Sequence, residues 1–329
     1  MDNKHTDDSI LKTVRGFMAS RVIISAAEID LFTLLARQSH TADEVAYTIG
    51  ADLRGITILL DALCALGFMV KTNGTYRTES SAATLLSADA PASVRPMVLH
   101  MGSVWRNWSK LNNIVLGKAV PDLEKGILDK ENFEAFIGAM HVVASRAAPD
   151  VVAVVNPGGA SRLLDVGGGS GSYILAFLDA QPAMRATLFD KPEVIKMARA
   201  RVKAAGMTDR VTLVAGDFYK DELPTGHDLA LLSAIIHQNS PAENEELYCK
   251  IHRALDGGGR IVIRDHVMSP DHTQPLEGAL FAVNMLAGTK GGGTYTFQEI
   301  EAGLAAAGFT KIKQLQDKRM FSLVEGYKA

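Results

Sequence analysis

The stretch Leu163-Leu164-Asp165-Val166-Gly167-Gly168-Gly169-Ser170-Gly171 constrains this chain more than any other. An apolar strand ends in an acid and runs into a glycine cluster, and a helical pattern begins at Tyr173. Glycine has no Cβ, so the chain can turn sharply there and bring its backbone against a ligand. The turn also aims the N–H groups of a helix N-terminus at whatever docks above them. Such a turn seats a nucleotide-like molecule at the carboxyl end of a sheet.

The spacing narrows the ligand. A pyrophosphate cradle reads G-x-G-x-x-G, and a triphosphate cradle ends in Gly-Lys-Ser/Thr. Here no lysine follows, and Asp165 sits just before the first glycine, where it repels phosphate and suits a cationic amine. A second apolar run, Ala186 to Phe189, ends in Asp190, about 20 residues beyond the glycines, where a ribose-binding carboxylate belongs. A third, Arg210 to Gly216, ends in Asp217 followed by Phe218. Three strands each closing in an acid make one polar rim, fitted to a ribose, an adenine amino group and an ammonium.

At 329 residues the chain has room for two domains and ample cores. A net charge of −3 gives no electrostatic case for nucleic acid or an anionic membrane. The polar N-terminus lacks a secretory apolar segment, and no apolar run approaches the roughly 20 residues that span a bilayer. Cys64 and Cys249 each fall in a helical pattern, as buried free thiols of a reducing cytosol would.

Residues 10–38 read as two helices with a break near Ser20 and Arg21. Thr41 to Glu44 is a capping box opening a helix that stops at Gly50. Another helix runs from Ile56 to Leu66, and Asn73-Gly74 turns a hairpin between Phe68 and Thr78. This is a winged-helix arrangement, yet residues 41–80 hold three basic residues (Arg54, Lys71, Arg77) against five acidic ones (Asp43, Glu44, Asp52, Asp61, Glu79). Phosphate contacts dominate DNA affinity, so the charge speaks against that use. Residues 93–150 are helical and rich in large apolar groups, from Met97 to Met140, fitted to a core or to the roof over a flat substrate. From residue 161 strands alternate with helices, the pattern of a doubly wound α/β sheet.

The fourth strand, Asp228 to Ile236, delivers His237 at its carboxyl end, and the fifth, Arg260 to Arg264, delivers Asp265. Ligands sit at that end of an open sheet. A histidine can take a proton near neutral pH, and a carboxylate orients its ring and stabilises its cation. His141, His252, His266 and His272 carry no comparable pattern, and no ligand set with metal spacing is found.

These motifs, with Phe189-Asp190-Lys191-Pro192, Gly216-Asp217-Phe218 and Gly291-Gly292-Gly293, resemble the metal-free, plant-type small-molecule O-methyltransferases and their bacterial relatives. The resemblance covers nearly the whole chain. It implies a winged-helix dimerisation domain over 1–92, a helical pocket segment over 93–150 and a Rossmann-like class I methyltransferase domain over 151–329. That last domain would be α/β with a mostly parallel seven-stranded sheet. It implies S-adenosylmethionine as cofactor, S-adenosylhomocysteine as product, and no metal. Asp165, Gly167, Gly169, Asp190, Asp217, Phe218 and the Ser233 position would line the cofactor. His237 would be the general base, bracketed by Asp265. Trp108, Phe136, Met140, Asn284 and Met285 would line the pocket of a small aromatic or polyketide-like acceptor. A homodimer in the cytoplasm, touching neither nucleic acid nor membrane, completes the expectation.

Several positions depart from the family. Gln238 and Asn239 follow the histidine in place of Asp-Trp, whose tryptophan covers the adenine. Ser233 replaces a lysine, and Thr294 replaces a second bracketing glutamate. Two alternatives therefore stay open: a paralogue that decarboxylates or hydroxylates, and a cofactor-sensing winged-helix regulator.

Overall fold

The computed structural model describes residues 5–119, 130–318 and 320–329. Its contacts divide the chain into one unit within residues 1–106 and 128–139, and another within 107–127 and 140–329.

In the first unit, α1 (Asp7–Arg15), α2 (Phe17–Glu28) and α3 (Leu31–Arg37) precede the short strand β1 (His40–Thr41). Three helices thus stand where the sequence suggests two. The breaks fall at Gly16 and at Asp30, which takes a left-handed φ of 58°. Ser20 and Arg21 lie inside α2, because one polar pair does not interrupt an amphipathic helix whose other face is buried. Thr41 and Glu44 cap α4 (Ala42–Ile49) reciprocally, and Gly50 ends it with a φ of 66°. Asp52 starts α5 (Leu53–Ala65) by accepting the Gly55 N–H at 2.7 Å. The hairpin of β2 (Met69–Thr72) and β3 (Thr75–Thr78) turns at Asn73 and Gly74, both at positive φ as a two-residue turn requires. β1 adds to β3, completing the three-stranded wing, and α6 (Ser80–Leu86) follows. Phe32, Leu35, Leu60, Leu63 and Tyr76 fill the core. Ile10, Leu11, Val14, Phe17 and Met18 remain exposed along α1 and the start of α2.

The helical stretch that follows comprises α7 (Arg95–Trp108), α8 (Leu111–Val115) and α9 (Lys130–Val155). Within α9, Phe136–Val155 is long and apolar enough by composition alone to cross a bilayer, a run the sequence reading overlooked because Arg146 and Asp150 interrupt it. Ala148, Val151, Val152 and Val155 instead pack into the sheet core, as in a buried helix of a globular domain.

The second unit then alternates β4 (Arg162–Val166), α10 (Ser172–Ala180), β5 (Arg185–Asp190), α11 (Pro192–Ala204), β6 (Val211–Ala215), β7 (His227–Ser233), α12 (Pro241–Ala254) and β8 (Leu255–Asp265). After β9 (Val267–Met268) come α13 (Leu276–Gly288), β10 (Tyr295–Thr296), α14 (Phe297–Ala306) and the pair β11 (Phe309–Gln316) and β12 (Ser322–Lys328). The seven-stranded sheet has the order β11-β12-β8-β7-β4-β5-β6, with β12 antiparallel to both neighbours. Alternate residues feed two cores, since side chains alternate across a strand. Leu164, Leu232 and Ile263 face one way with α12 and α14, whereas Leu163, Leu231 and Val262 face the other with α10. From β4 the chain winds outward through β5 to β6, then returns to place β7 on the opposite flank of β4. Strand order reverses there, which opens a ligand crevice at the carboxyl ends of β4 and β7.

Candidate active site

The glycine turn occupies that crevice. Gly167 and Gly169 hold φ values of 70° and 56°, which a side chain would strain. A Cβ on Gly168 would stand 2.7 Å from Asp165 Oδ2 and 2.8 Å from Leu188 Cγ, so the loop presses directly on the strands beneath. The Gly169 N–H donates to Asp190 Oδ2 at 2.8 Å, and the Lys191 N–H donates to Oδ1 at 2.7 Å. Asp190 therefore ties the end of β5 to the loop. Burial raises its carboxyl above the ordinary range, partly offset by those N–H groups.

Asp165 is more unusual. It is buried, its Oδ2 has no hydrogen-bond partner, and burial followed by the nearby Asp190 charge pushes its pKa up to about 8. Burying a carboxylate without a partner is costly, so this group keeps its proton at neutral pH until a cation approaches. At the end of β6, Asp217 accepts the Tyr219 N–H at 3.1 Å and pairs with Lys220 at 3.2 Å. Burial alone would raise the Asp217 carboxyl, but these donors bring it below the usual value. The half-buried Phe218 ring meets the Tyr219 ring at 4.6 Å.

His237 does not lie directly at a strand end. β7 stops at Ser233, Ala234 takes a left-handed φ of 57°, and His237 sits in the 3-10 turn Ile236–Gln238. Its Nδ1 lies 2.8 Å from Asp265 Oδ1 and 3.1 Å from Oδ2. A carboxylate only accepts, so Nδ1 carries the proton and Nε2 keeps its lone pair. Asp265 is 1% exposed. Burial by itself would raise it, yet the His237 ring and the His266 backbone N–H, at 2.8 Å, hold it below the ordinary carboxylate value. Gly293 donates its N–H to the His237 carbonyl at 2.9 Å, and the neighbouring Gly292 packs so close to that carbonyl that no side chain fits. The glycine run at 291–293 thus buttresses the turn. The 167–171 glycine loop touches the same turn, because a Cβ on Gly167 would meet Ile235 Cδ1 at 2.5 Å.

On the pocket side, α13 sets Phe281 edge-on to His237 at 4.8 Å. One turn further along, Asn284 Oδ1 accepts the Trp108 indole N–H at 3.0 Å, joining two of the candidates. Met285 is buried on α13 and Met140 half-buried on α9. Phe136 belongs to the first unit, where its ring meets His100 edge-on at 5.3 Å. Ser233 accepts a long hydrogen bond from Arg264 at 3.4 Å.

Several neighbours escaped the sequence reading. His141, passed over for lack of a motif, contacts Ser172 Oγ at 2.8 Å and Ser170 Oγ at 3.1 Å through Nδ1. Arg201 donates to its Nε2, so Nδ1 carries the proton and the ring braces the glycine loop in neutral form. His266 stacks on Phe281 at 4.3 Å and meets Phe321 tilted by 41° at 4.6 Å, and burial takes its pKa down to about 4. Asn239, at the family's tryptophan position, is buried and accepts from the Tyr219 hydroxyl. No local spacing signals these contacts, which arise between segments distant in the chain. Among the described residues no group of three His, Cys, Asp or Glu gathers as a metal site. Two open clefts, about 610 Å³ beside α4 and about 390 Å³ at the amino-terminal edge of the sheet, hold no such constellation.

An O-methyltransferase domain matches residues 115–310, and an O-methyltransferase dimerisation domain matches 11–88. The 3-hydroxy-5-methyl-1-naphthoate 3-O-methyltransferase of Streptomyces sahachiroi is 31% identical over 92% of this chain and 89% of its own length. The tetracenomycin polyketide synthesis 8-O-methyl transferase of Streptomyces glaucescens is 32% identical over 92% and 91%. Human N-acetylserotonin methyltransferase, solved in complex with S-adenosylmethionine, shares the fold across all of both chains, with a TM-score of 0.81 at 24% identity. With its methyltransferase domain and its dimerisation domain both matched, the chain belongs to the O-methyltransferase family.

Proposed function

We propose that this protein transfers the methyl group of S-adenosylmethionine to a hydroxyl of a small aromatic or polyketide-like acceptor, with His237 as general base. The observation that carries the reading is the His237–Asp265 pair in a turn that abuts the Gly167 loop. The chemistry of the donor set fits this cofactor. The orphaned Asp165 carboxyl suits an ammonium, Asp190 suits the ribose hydroxyls, and Asp217 with Phe218 suits the adenine. Gly167 and Gly169 bring backbone against the methionine half, and Ser233 closes that end. Tyr219, held by Asn239, takes the covering role that the family gives to tryptophan.

When bound, the cofactor supplies an electrophilic methyl group on a sulfonium. His237 Nε2 accepts the hydroxyl proton as the acceptor oxygen becomes nucleophilic, and Asp265 stabilises the imidazolium. The apolar walls from Phe281, Met285, Trp108 and Met140 exclude water and align the acceptor. Alignment is worth about 7–11 kcal/mol at its upper limit. Asn284, fixed by Trp108, offers a polar contact to orient the ring.

Incubation with methyl-labelled S-adenosylmethionine and a panel of hydroxynaphthoates and hydroxylated polyketides tests the proposal. Label in a methyl ether is expected. Consumption of acceptor without label would favour the decarboxylating or hydroxylating paralogue, and a specific gel shift at low salt would favour the regulator.

The dimerisation domain leaves the α1 and α2 apolar residues uncovered, and we assign them to a second copy of the chain. Light scattering after size exclusion should give twice the 35.3 kDa chain mass, and Val14→Glu should shift it toward the monomer. The two free thiols accord with a cytoplasmic placement.

A further inference from the structure

Arg264 is a buried charge that the mechanism does not use. It lies on β8 in register with Ser233 of β7 and is only 5% exposed. Its guanidinium lies 3.9 Å from the Phe321 ring centroid and 5.6 Å from that of Tyr173. The long contact to Ser233 is its one hydrogen bond, and among the described residues no carboxylate lies within ion-pair distance. A guanidinium carries five donors in a planar fork. Buried charges are ordinarily paired, and leaving one uncompensated costs several kcal/mol. Two further polar atoms on the same face, Tyr173 Oη and Asp165 Oδ2, are also buried without partners. Structural arginines of this fold look different: Arg260 pairs with Glu325 at 2.9 Å and donates to two backbone carbonyls.

We propose that Arg264, with the Tyr173 hydroxyl, is a carboxylate-binding site at the carboxyl ends of β7 and β8. This rests on the functional reading above and extends it to a residue outside the motifs. A planar carboxylate accepts two parallel N–H bonds from one guanidinium, which satisfies both partners. Two sources present that group. One is the amino-acid end of the donor, whose ammonium the proposed function assigns to Asp165. The other is an aromatic acid acceptor, reached through the ring series Phe321, His266, Phe281 and His237.

Calorimetry on the intact protein distinguishes them. The donor pair is S-adenosylhomocysteine against 5′-methylthioadenosine, which lacks the amino-acid carboxylate. The acceptor pair, titrated into protein saturated with S-adenosylhomocysteine, is 3-hydroxy-2-naphthoate against its carboxamide. Arg264→Met should weaken the acid member of one pair about 10–100-fold and spare its neutral partner, with Arg264→Lys recovering part of the loss. The pair affected names the source. Ligand-free Arg264→Met should melt no lower than the wild type, since it removes an unpaired buried charge. Unaltered preference in both pairs, or an Arg264→Met protein that fails to fold, overturns the site. Wild-type protein that binds neither adenosine ligand defeats the functional reading itself, which separates the two failures.

Discussion

His237→Ala should lower the rate of methyl transfer about 10²–10⁴-fold, the usual contribution of a positioned general base. Affinity for S-adenosylhomocysteine should stay close to that of the wild type, because His237 contacts Asp265 and Phe281 and none of the carboxylates assigned to the donor. Asp265→Asn should give a smaller loss of the same kind. An amide in that place keeps a hydrogen bond but can present its NH2 to Nδ1, favouring the tautomer that protonates Nε2 and blocks it as a base. Single-turnover rates with saturating donor make the comparison. A His237→Ala enzyme with undiminished turnover would remove the imidazole from the mechanism and leave alignment as the source of the rate.

The second large effect concerns Asp165 and pH. Its carboxyl, pushed up to about 8 by burial and by Asp190, is protonated at neutral pH in the free protein. A ligand that presents its ammonium to Asp165 binds the ionised form better, so binding must expel a proton. Affinity for S-adenosylhomocysteine should therefore rise by close to one decade per pH unit from about pH 6 toward 8 and then level off. Calorimetry in buffers of different ionisation enthalpy should register the released proton. Asp165→Asn should abolish that dependence and weaken binding about 10–100-fold at pH 8. Stability has the opposite sense. The folded pKa lies above the unfolded value of 3.8, so this group's contribution to stability is lost as pH rises between about 4 and 8. The ligand-free Asp165→Asn protein should then melt above the wild type at pH 8. Flat affinity across this range would show that Asp165 is already ionised and paired.

The sheet and its motif-bearing strand ends were legible in the chain because hydrophobic periodicity and glycine chemistry are local signals. Asp165, Asp190 and Asp217 sit near the carboxyl edge for the reason their spacing suggests: each closes an apolar run of the parallel sheet. The capping box at Thr41 likewise reads directly, since it is complete within four residues. The exact seat of His237 was not legible. Ala234 bends the chain out of β7 early, and only contact with the 291–293 run explains why that turn is held. Arg264, His141 and Phe321 were invisible for a related reason. Their partners lie on other strands or helices, and a single sequence carries no trace of which distant side chain meets which. The division of α1 from α2 at Gly16 was missed because the apolar spacing continues across it.

The packing of Gly292 against the His237 carbonyl also separates what natural variation is free to alter. α13 leads directly into that run, so residues such as Phe281 and Asn284 stand on a helix whose far end is anchored to the His237 turn. The carboxylates assigned to the donor lie on β4, at the end of β5 and just past β6, in the other half of the sheet. Under the proposed function, substitutions along α13 would therefore reshape the acceptor wall while the anchor keeps the imidazole in place. A lineage can exchange one acceptor for another by editing a single helix, and the same helix is where a designer should place a randomised library.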